Sequence, residues 1–253
     1  MTGGSPVAYN WDMHRFYVEN VEGGQAAISD AGQLHHLKNV LRLKVNDSVI
    51  VFDSRGNEYA GVIEGIDRKK VAIGVTAPKP ARRPKFQLTI ACAIPRGDRM
   101  DDIIDQLTQL GVARIIPVAT ERVVVRLDEA GKESRLKRWR KIALNAALQS
   151  QRNSLPLIGP VTGVTEVISH SQDYDLKLIP HLSGERTLIK DVISGTKPEN
   201  IIVLIGPEGD FTPEEVKLAL AAGFIPVSLG DTVLRVATAA AAVAGYIKFA
   251  LGE

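Results

Sequence analysis

The stretch IIVLIGPEGDFTPEEVKLALAAGFIPVSLGDTVLRVATA, residues 201–239, constrains the fold more than any other part of the chain. It holds two apolar runs of strand length, Ile201–Ile205 and Phe224–Leu229. Each run stops at a glycine-bearing loop, and a helix-opening sequence follows each loop. Strand, loop and helix in alternation predict a mostly parallel sheet covered on both faces. Glycine at a strand end lets the main chain approach a ligand closely, because no Cβ intervenes. Two such loops at one end of a parallel sheet therefore predict a pocket built from main-chain groups.

The same rhythm extends upstream. Gln87–Ile94 reads as a strand, Asp101–Leu110 as a helix stopped at Gly111, Arg114–Ala119 as a strand and Glu133–Ser150 as a long helix. Leu176–Pro180 precedes a short helix at Thr187–Ile193, and the last helix runs to Leu251. Thr212-Pro213-Glu214-Glu215 combines a hydroxyl cap, a proline at the first helical position and a glutamate placed to close a capping box. Before residue 80 the pattern is different. Arg15–Val18, Ser48–Phe52, Glu58–Ile66 and Lys70–Val75 are short strands separated by turn residues, with one helical piece at Gln33–Leu43. That spacing predicts a small antiparallel barrel or sandwich. The prolines at 78, 80 and 84 mark a linker. We divide the chain into a first domain over 1–78, a linker over 79–85 and a second domain over 86–253.

Hydrophobic residues make up 45% and charged residues 24% of the 253, which excludes a disordered chain. No basic and apolar leader occupies Met1–Asp12, and the longest apolar stretch, Val236–Gly245, is too short to span a bilayer. The one cysteine, Cys92, has no partner in the chain for a disulfide. A cytoplasmic protein with no membrane contact is expected. The net charge of +2 conceals a local excess: residues 122–152 hold nine Lys/Arg against three acids. On a helical wheel Leu136, Trp139, Ala143 and Ala146 share one face, with Lys137, Arg138 and Lys141 opposite. Such an unbalanced face suits a polyanion, and phosphate backbones are the obvious one. Lys38, Arg42, Arg122 and Arg152 join the candidate RNA contacts.

Neither glycine loop is a nucleotide P-loop or a dinucleotide fingerprint. In Gly206-Pro207-Glu208-Gly209 the proline presets a tight turn that the last glycine completes. A purine-bearing ligand held by main-chain groups fits such loops better than a phosphate. The five histidines show no metal-ligand spacing, so no metal is expected. His181, just past Leu176–Pro180, is retained as a pocket residue.

These segments together resemble the SPOUT-type 16S rRNA uridine-N3 methyltransferases of the RsmE family. IGPEGDFTPEE followed by SLGDTVLRVATAA resembles the family's C-terminal signature. HHLKNVLRLKVNDSVIVFDSRGNEY is similar to its PUA-like RNA-binding barrel, and DQLTQLGVARIIPVATERVVVR and ALQSQRNSLPLI are similar to its first αβ unit and a helix end. The resemblance implies a two-domain α/β protein, an N-terminal PUA-like barrel and a C-terminal SPOUT domain with a trefoil knot. It implies bound S-adenosyl-L-methionine, 16S rRNA within the small ribosomal subunit as substrate, and a homodimer. Carried onto this sequence, the cofactor positions are Pro180, His181, Ile205, Gly206, Glu208, Gly209, Leu229, Gly230, Val233 and Leu234. Arg235, which follows them, is the expected catalytic residue, as the cation beside the target base or as the group that fixes the target phosphate. Four positions depart from the family pattern: Asp210 replaces a glycine, Thr232 an arginine, Ala237 an acid and Leu148 a glutamate. Two alternatives stay open, a knotted methyltransferase acting on a ribose 2′-hydroxyl and an rRNA-binding assembly factor without catalysis.

Overall fold

A computed structural model describes residues 13–81, 84–95, 97, 99–121, 129–181 and 186–252. The chain forms two compact units, Met1–Arg83 with Ala147–Leu155, and Pro84–Ala146 with Pro156–Glu253.

In the first unit the strands are β1 (Arg15–Tyr17), β2 (Val21–Glu22), β3 (Gln25–Ile28), β4 (Ser48–Phe52), β5 (Glu58–Ile66) and β6 (Val71–Val75). They form one six-stranded sheet in the order β1-β4-β5-β6-β3-β2. All pairs are antiparallel except β1 with β4. Phe16, Ile28, Val49, Val51, Ile63, Val71 and Ile73 meet in one buried cluster, so the sheet curls around a single core. Leu34 and Leu37 reach it from a helical segment, α1 (Ala31–His35) continued by a π-helical stretch His36–Val40. The expected helix to Leu43 is therefore shorter, and Val40 is 57% exposed rather than buried. The wider π turn advances each residue less around the axis, which carries Val40 off the apolar stripe.

The turn after β4 is closed by one carboxylate. Asp53 accepts from the amides of Arg55 and Asn57, from Asn57 Nδ2 at 3.0 Å and from the Tyr59 hydroxyl at 2.9 Å. The segment 147–155 is anchored in the same unit by Asn153. Its side chain bonds both Arg15 and Glu58, and Arg15 also pairs with Glu58 at 2.7 Å.

The second unit is built on an eight-stranded sheet. Its strands are β7 (Gln87–Ala93), β8 (Arg114–Ala119), β9 (Leu157–Ile158), β10 (Thr162–Gly163), β11 (Leu176–Pro180), β12 (Thr187–Leu188), β13 (Asn200–Ile205) and β14 (Ile225–Ser228). The order is β10-β8-β7-β13-β11-β14-β12, with β9 also on β8, and every pairing is parallel. The helices are α2 (Arg99–Gln109), α3 (Glu129–Gln149), α4 (Val164–Ser169), α5 (Ile189–Ile193), α6 (Pro213–Ala221) and α7 (Val236–Ala250). Residues alternate faces along β13. Ile201, Val203 and Ile205 pack with Met100, Ile103, Trp139 and Val243 from α2, α3 and α7. Ile202 and Leu204 pack with Val167, Ile168 and Ala219 from α4 and α6. Burial on both faces explains the unbroken apolar run, and each such side chain contributes about 1.5–3 kcal/mol.

Two differences from the sequence expectation concern short elements. Thr187 and Leu188 form an edge strand, so the helix there begins only at Ile189. β2, β3, β9, β10 and α4 were not anticipated. No helix among the described residues is long and apolar enough to cross a membrane.

Candidate functional site

In an all-parallel sheet every strand ends at the same edge, and ligands collect where loops diverge beyond it. Here residues beyond the ends of β11, β13 and β14, which are adjacent strands, line a cleft of about 600 Å³ including its open mouth. Its apolar lining comes from Ile205, Val227, Leu229, Leu234, Val236 and Ala239. Polar residues line it as well: His181, Arg186, Glu208, Asp210 and Thr232. That mixture is the usual constitution of a small-molecule site.

Two glycines shape it. A Cβ on Gly206 would lie 3.0 Å from the Phe211 ring, so the main chain there is held against an aromatic side chain buried to 3% exposure. Gly230 has φ 122, a backbone state that L side chains rarely adopt. The turn falls one residue later than the proline placement predicts: Asp210 N donates to Pro207 O at 2.9 Å, so Glu208 and Gly209 occupy its centre. The loop then enters α6 through the capping box. Thr212 Oγ1 accepts from Glu215 N at 3.2 Å, and Glu215 Oε2 accepts from Thr212 N at 2.8 Å. The Glu215 carboxylate also accepts from the Glu121 amide at 3.3 Å, which holds the end of β8 near the same loop.

Of the ten expected cofactor positions, the structure brings Pro180, His181, Ile205, Gly206, Glu208, Leu229, Gly230, Val233 and Leu234 to this cleft. Gly209 and Arg235 are not among its lining residues. Arg235 is exposed, directly before α7, and its carbonyl accepts from Ala239 N at 2.8 Å. Sequence reasoning missed Arg186, whose Nη1 donates to His181 O at 3.1 Å, and Arg99, 3.7 Å from Glu208. Asp210 was recognised only as a departure. It sits at φ 62 and faces His181 Nδ1 at 2.8 Å. The loop after β7 reaches the same sheet edge, and that rule alone would have flagged Arg99.

The basic candidates are dispersed. Lys137, Arg138 and Lys141 lie exposed on one face of α3, opposite buried Trp139, Ala143 and Ala146. Two of the three charges are matched: Lys137 pairs with Glu133 at 2.8 Å and Arg138 pairs with Asp101. Arg140 adds an exposed cation beside them. Arg152 belongs to the first unit, where Nε donates to Ser154 Oγ at 3.1 Å. Burial draws its guanidinium down to about 10, so it remains cationic at neutral pH. Lys38 and Arg42 also belong to the first unit. Lys38 Nζ donates to the carbonyls of Asp67 and Arg68, and Arg42 is exposed. Arg122 lies outside the described residues. No cluster of metal-ligating side chains occurs among the described residues.

The model of an RNA methyltransferase domain matches residues 82–248, and that of an RNA methyltransferase PUA domain matches residues 28–76. The chain belongs to the RNA methyltransferase family. It is 28% identical to the ribosomal RNA small subunit methyltransferase E of Bacillus subtilis over 237 residues, 90% of this chain and 93% of that one. It is 32% identical to the protein of the same name in Synechocystis, covering 82% of this chain and 67% of that one. Among solved structures, ribosomal RNA small subunit methyltransferase E of Neisseria gonorrhoeae bound to S-adenosyl methionine superposes with a TM-score of 0.83 at 30% identity. It covers 93% of this chain and 97% of that one. A methyltransferase of Legionella pneumophila with bound SAM gives 0.84 at 28% identity, covering 94% and 98%.

Proposed function

We propose that this RNA methyltransferase transfers a methyl group from S-adenosylmethionine to N3 of a uridine in the 16S RNA of the small ribosomal subunit. The observation that carries the reading is the glycine-marked cleft over the ends of β13, β11 and β14, in a chain whose relatives bear that ribosomal name. The residues present fit the methyl donor. The apolar lining suits an adenosyl group, and the Glu208 carboxylate suits a cationic ligand. When bound, S-adenosylmethionine supplies an electrophilic methyl group on a sulfonium. Ile205, Leu229 and Leu234 would hold it by apolar contact, with Glu208 at its charged end.

Uridine N3 carries a proton, and its lone pair is delocalised into the flanking carbonyls. Transfer therefore needs removal of that proton and a cation near O2 or O4 as the ring becomes anionic. We assign the cation to Arg235, which stands between the cleft-lining residues Leu234 and Val236. Holding acceptor and methyl in line accounts for much of the acceleration. The base must leave its stack to enter the cleft. Residues 1–78, with 147–155 joined to them, and the basic face of α3 supply RNA-backbone contacts, 79–85 link, and the rest of 86–253 performs transfer.

We further infer a trefoil knot and a homodimer. β14 inserts between β11 and β12, both of which precede it in the chain, and this supports a threaded path. Phe249 is 77% and Val233 73% exposed, apolar surface of the kind a second copy would cover. A ribosomal substrate supports a cytoplasmic location.

The test is methylation of small subunits from cells lacking the modification, using labelled S-adenosylmethionine, with mass spectrometry of the digested RNA. N3-methyluridine at one site is expected. A ribose-methylated nucleoside, or no incorporated label, overturns the assignment.

A further inference from the structure

We propose that His181 and Asp210 form a latch that fixes the methyl-donor cleft, Asp210 serving as a positioning residue for donor binding; this rests on the donor reading above. Asp210 occupies a backbone state, φ 62, that glycine adopts freely and other residues rarely do. One of its carboxylate oxygens is hydrogen-bonded, and the other lies at ion-pair distance from His181 without an aligned hydrogen bond to Nδ1. Oδ1 accepts from the Phe211 amide at 2.8 Å, and Oδ2 faces His181 Nδ1 at 2.8 Å. The two side chains are only 15% and 14% exposed, so water weakens their attraction little.

His181 is itself held by its main chain. Its amide donates to Val227 O at 3.3 Å, and its carbonyl accepts from Arg186 at 3.1 Å. One side-chain contact thus joins the end of β11 to the loop after β13, and the main-chain bond to Val227 ties the same residue to β14. The pair is also a partition. A second hollow, lined by Phe211, Pro213, Val216, Lys217 and Leu220, shares His181 and Asp210 with the first. Without the pair the two hollows merge and the donor cleft loses a wall. A cleft fixed before the donor arrives spends less of the binding energy on ordering loops.

The experiment measures S-adenosylmethionine affinity by calorimetry on the full-length protein, together with KM and kcat for labelled transfer. Asp210→Gly, which relieves the backbone and preserves folding, is expected to raise Kd and the donor KM about tenfold. Its kcat at saturating donor should stay within about twofold. His181→Ala should do the same, and the double variant should be no worse than either single one. Asp210→Asn, which keeps one acceptor oxygen and loses the charge, should fall between Asp210→Gly and the parent. Lys217→Ala, which touches only the second hollow, should bind as the parent does. Unchanged affinity in Asp210→Gly, or fully additive penalties in the double variant, overturns the latch while leaving the donor reading intact. A parent protein that binds no S-adenosylmethionine overturns both.

Discussion

Arg99 Nη1 stands 3.7 Å from Glu208 Oε1, so the helix after β7 is tied to the turn after β13. The side chains are 54% and 39% exposed, and solvent screens such a pair to less than about 1 kcal/mol. Arg99→Ala should therefore leave the urea unfolding free energy within that margin. It should still loosen Glu208 at the cleft, raising the donor KM about threefold at low salt and less at high salt. A large loss of stability would show that the contact is structural.

The capping box of α6 gives a cleaner stability effect. Thr212→Ala removes the acceptor of the Glu215 amide and should cost about 1 kcal/mol. Thr212→Ser should recover most of it. Chemical denaturation of both variants measures the difference.

Two acids make the first unit sensitive to low pH. Burial pushes the Glu58 carboxyl up, but hydrogen bonds from Arg15 and Asn153 and the charges of Arg15 and Lys79 outweigh it, leaving the carboxyl below its usual range. Asp53 is likewise raised by burial and lowered further by Asn57, Tyr59 and Arg55. A carboxyl depressed in the folded state contributes stability above its unfolded value, about 4.3 for Glu and 3.9 for Asp, and loses it as the pH falls through the folded value. Stability should thus fall below about pH 4. Glu58→Gln should be less stable at pH 7 and show a flatter decline, as read by unfolding at pH 7, 5 and 3.

Cys92 is buried in the middle of the second sheet, and burial, with the nearby Glu208 charge, pushes its thiol up to about 12. The native protein should resist iodoacetamide at pH 8, and labelling should follow the unfolding curve in urea. Rapid alkylation without denaturant would contradict the packing.

On α3, Arg140 and Lys141 are better targets than the matched Lys137 and Arg138. Arg140→Glu with Lys141→Glu should weaken RNA binding and flatten its dependence on salt concentration. Equal affinity across 50–200 mM salt would remove this face from the interface.

The parallel sheet was legible because burial on both faces leaves runs such as Ile201–Ile205 wholly apolar. The Thr212 cap was legible because hydroxyl, proline and glutamate sit in fixed order. Leu157–Ile158 and Thr162–Gly163 were not, since two residues carry no period. The π turn at His36–Val40 was hidden because a helical stripe in sequence does not reveal a change of pitch. At the cleft, the glycines announced the loops. The partners Arg186 and Asp210 did not announce themselves, because their contacts join residues from different strand ends and depend on a backbone angle that no motif displays.

Asn153 bonds Arg15 and Glu58 from a position far downstream in the chain. The first unit therefore cannot finish closing while only its own N-terminal stretch has left the ribosome. It must wait, partly assembled, until residue 155 has emerged, and by then β7, α2 and β8 are already outside the exit tunnel. A fragment ending at residue 83 would lack the Asn153 bonds to Arg15 and Glu58 that complete the first unit.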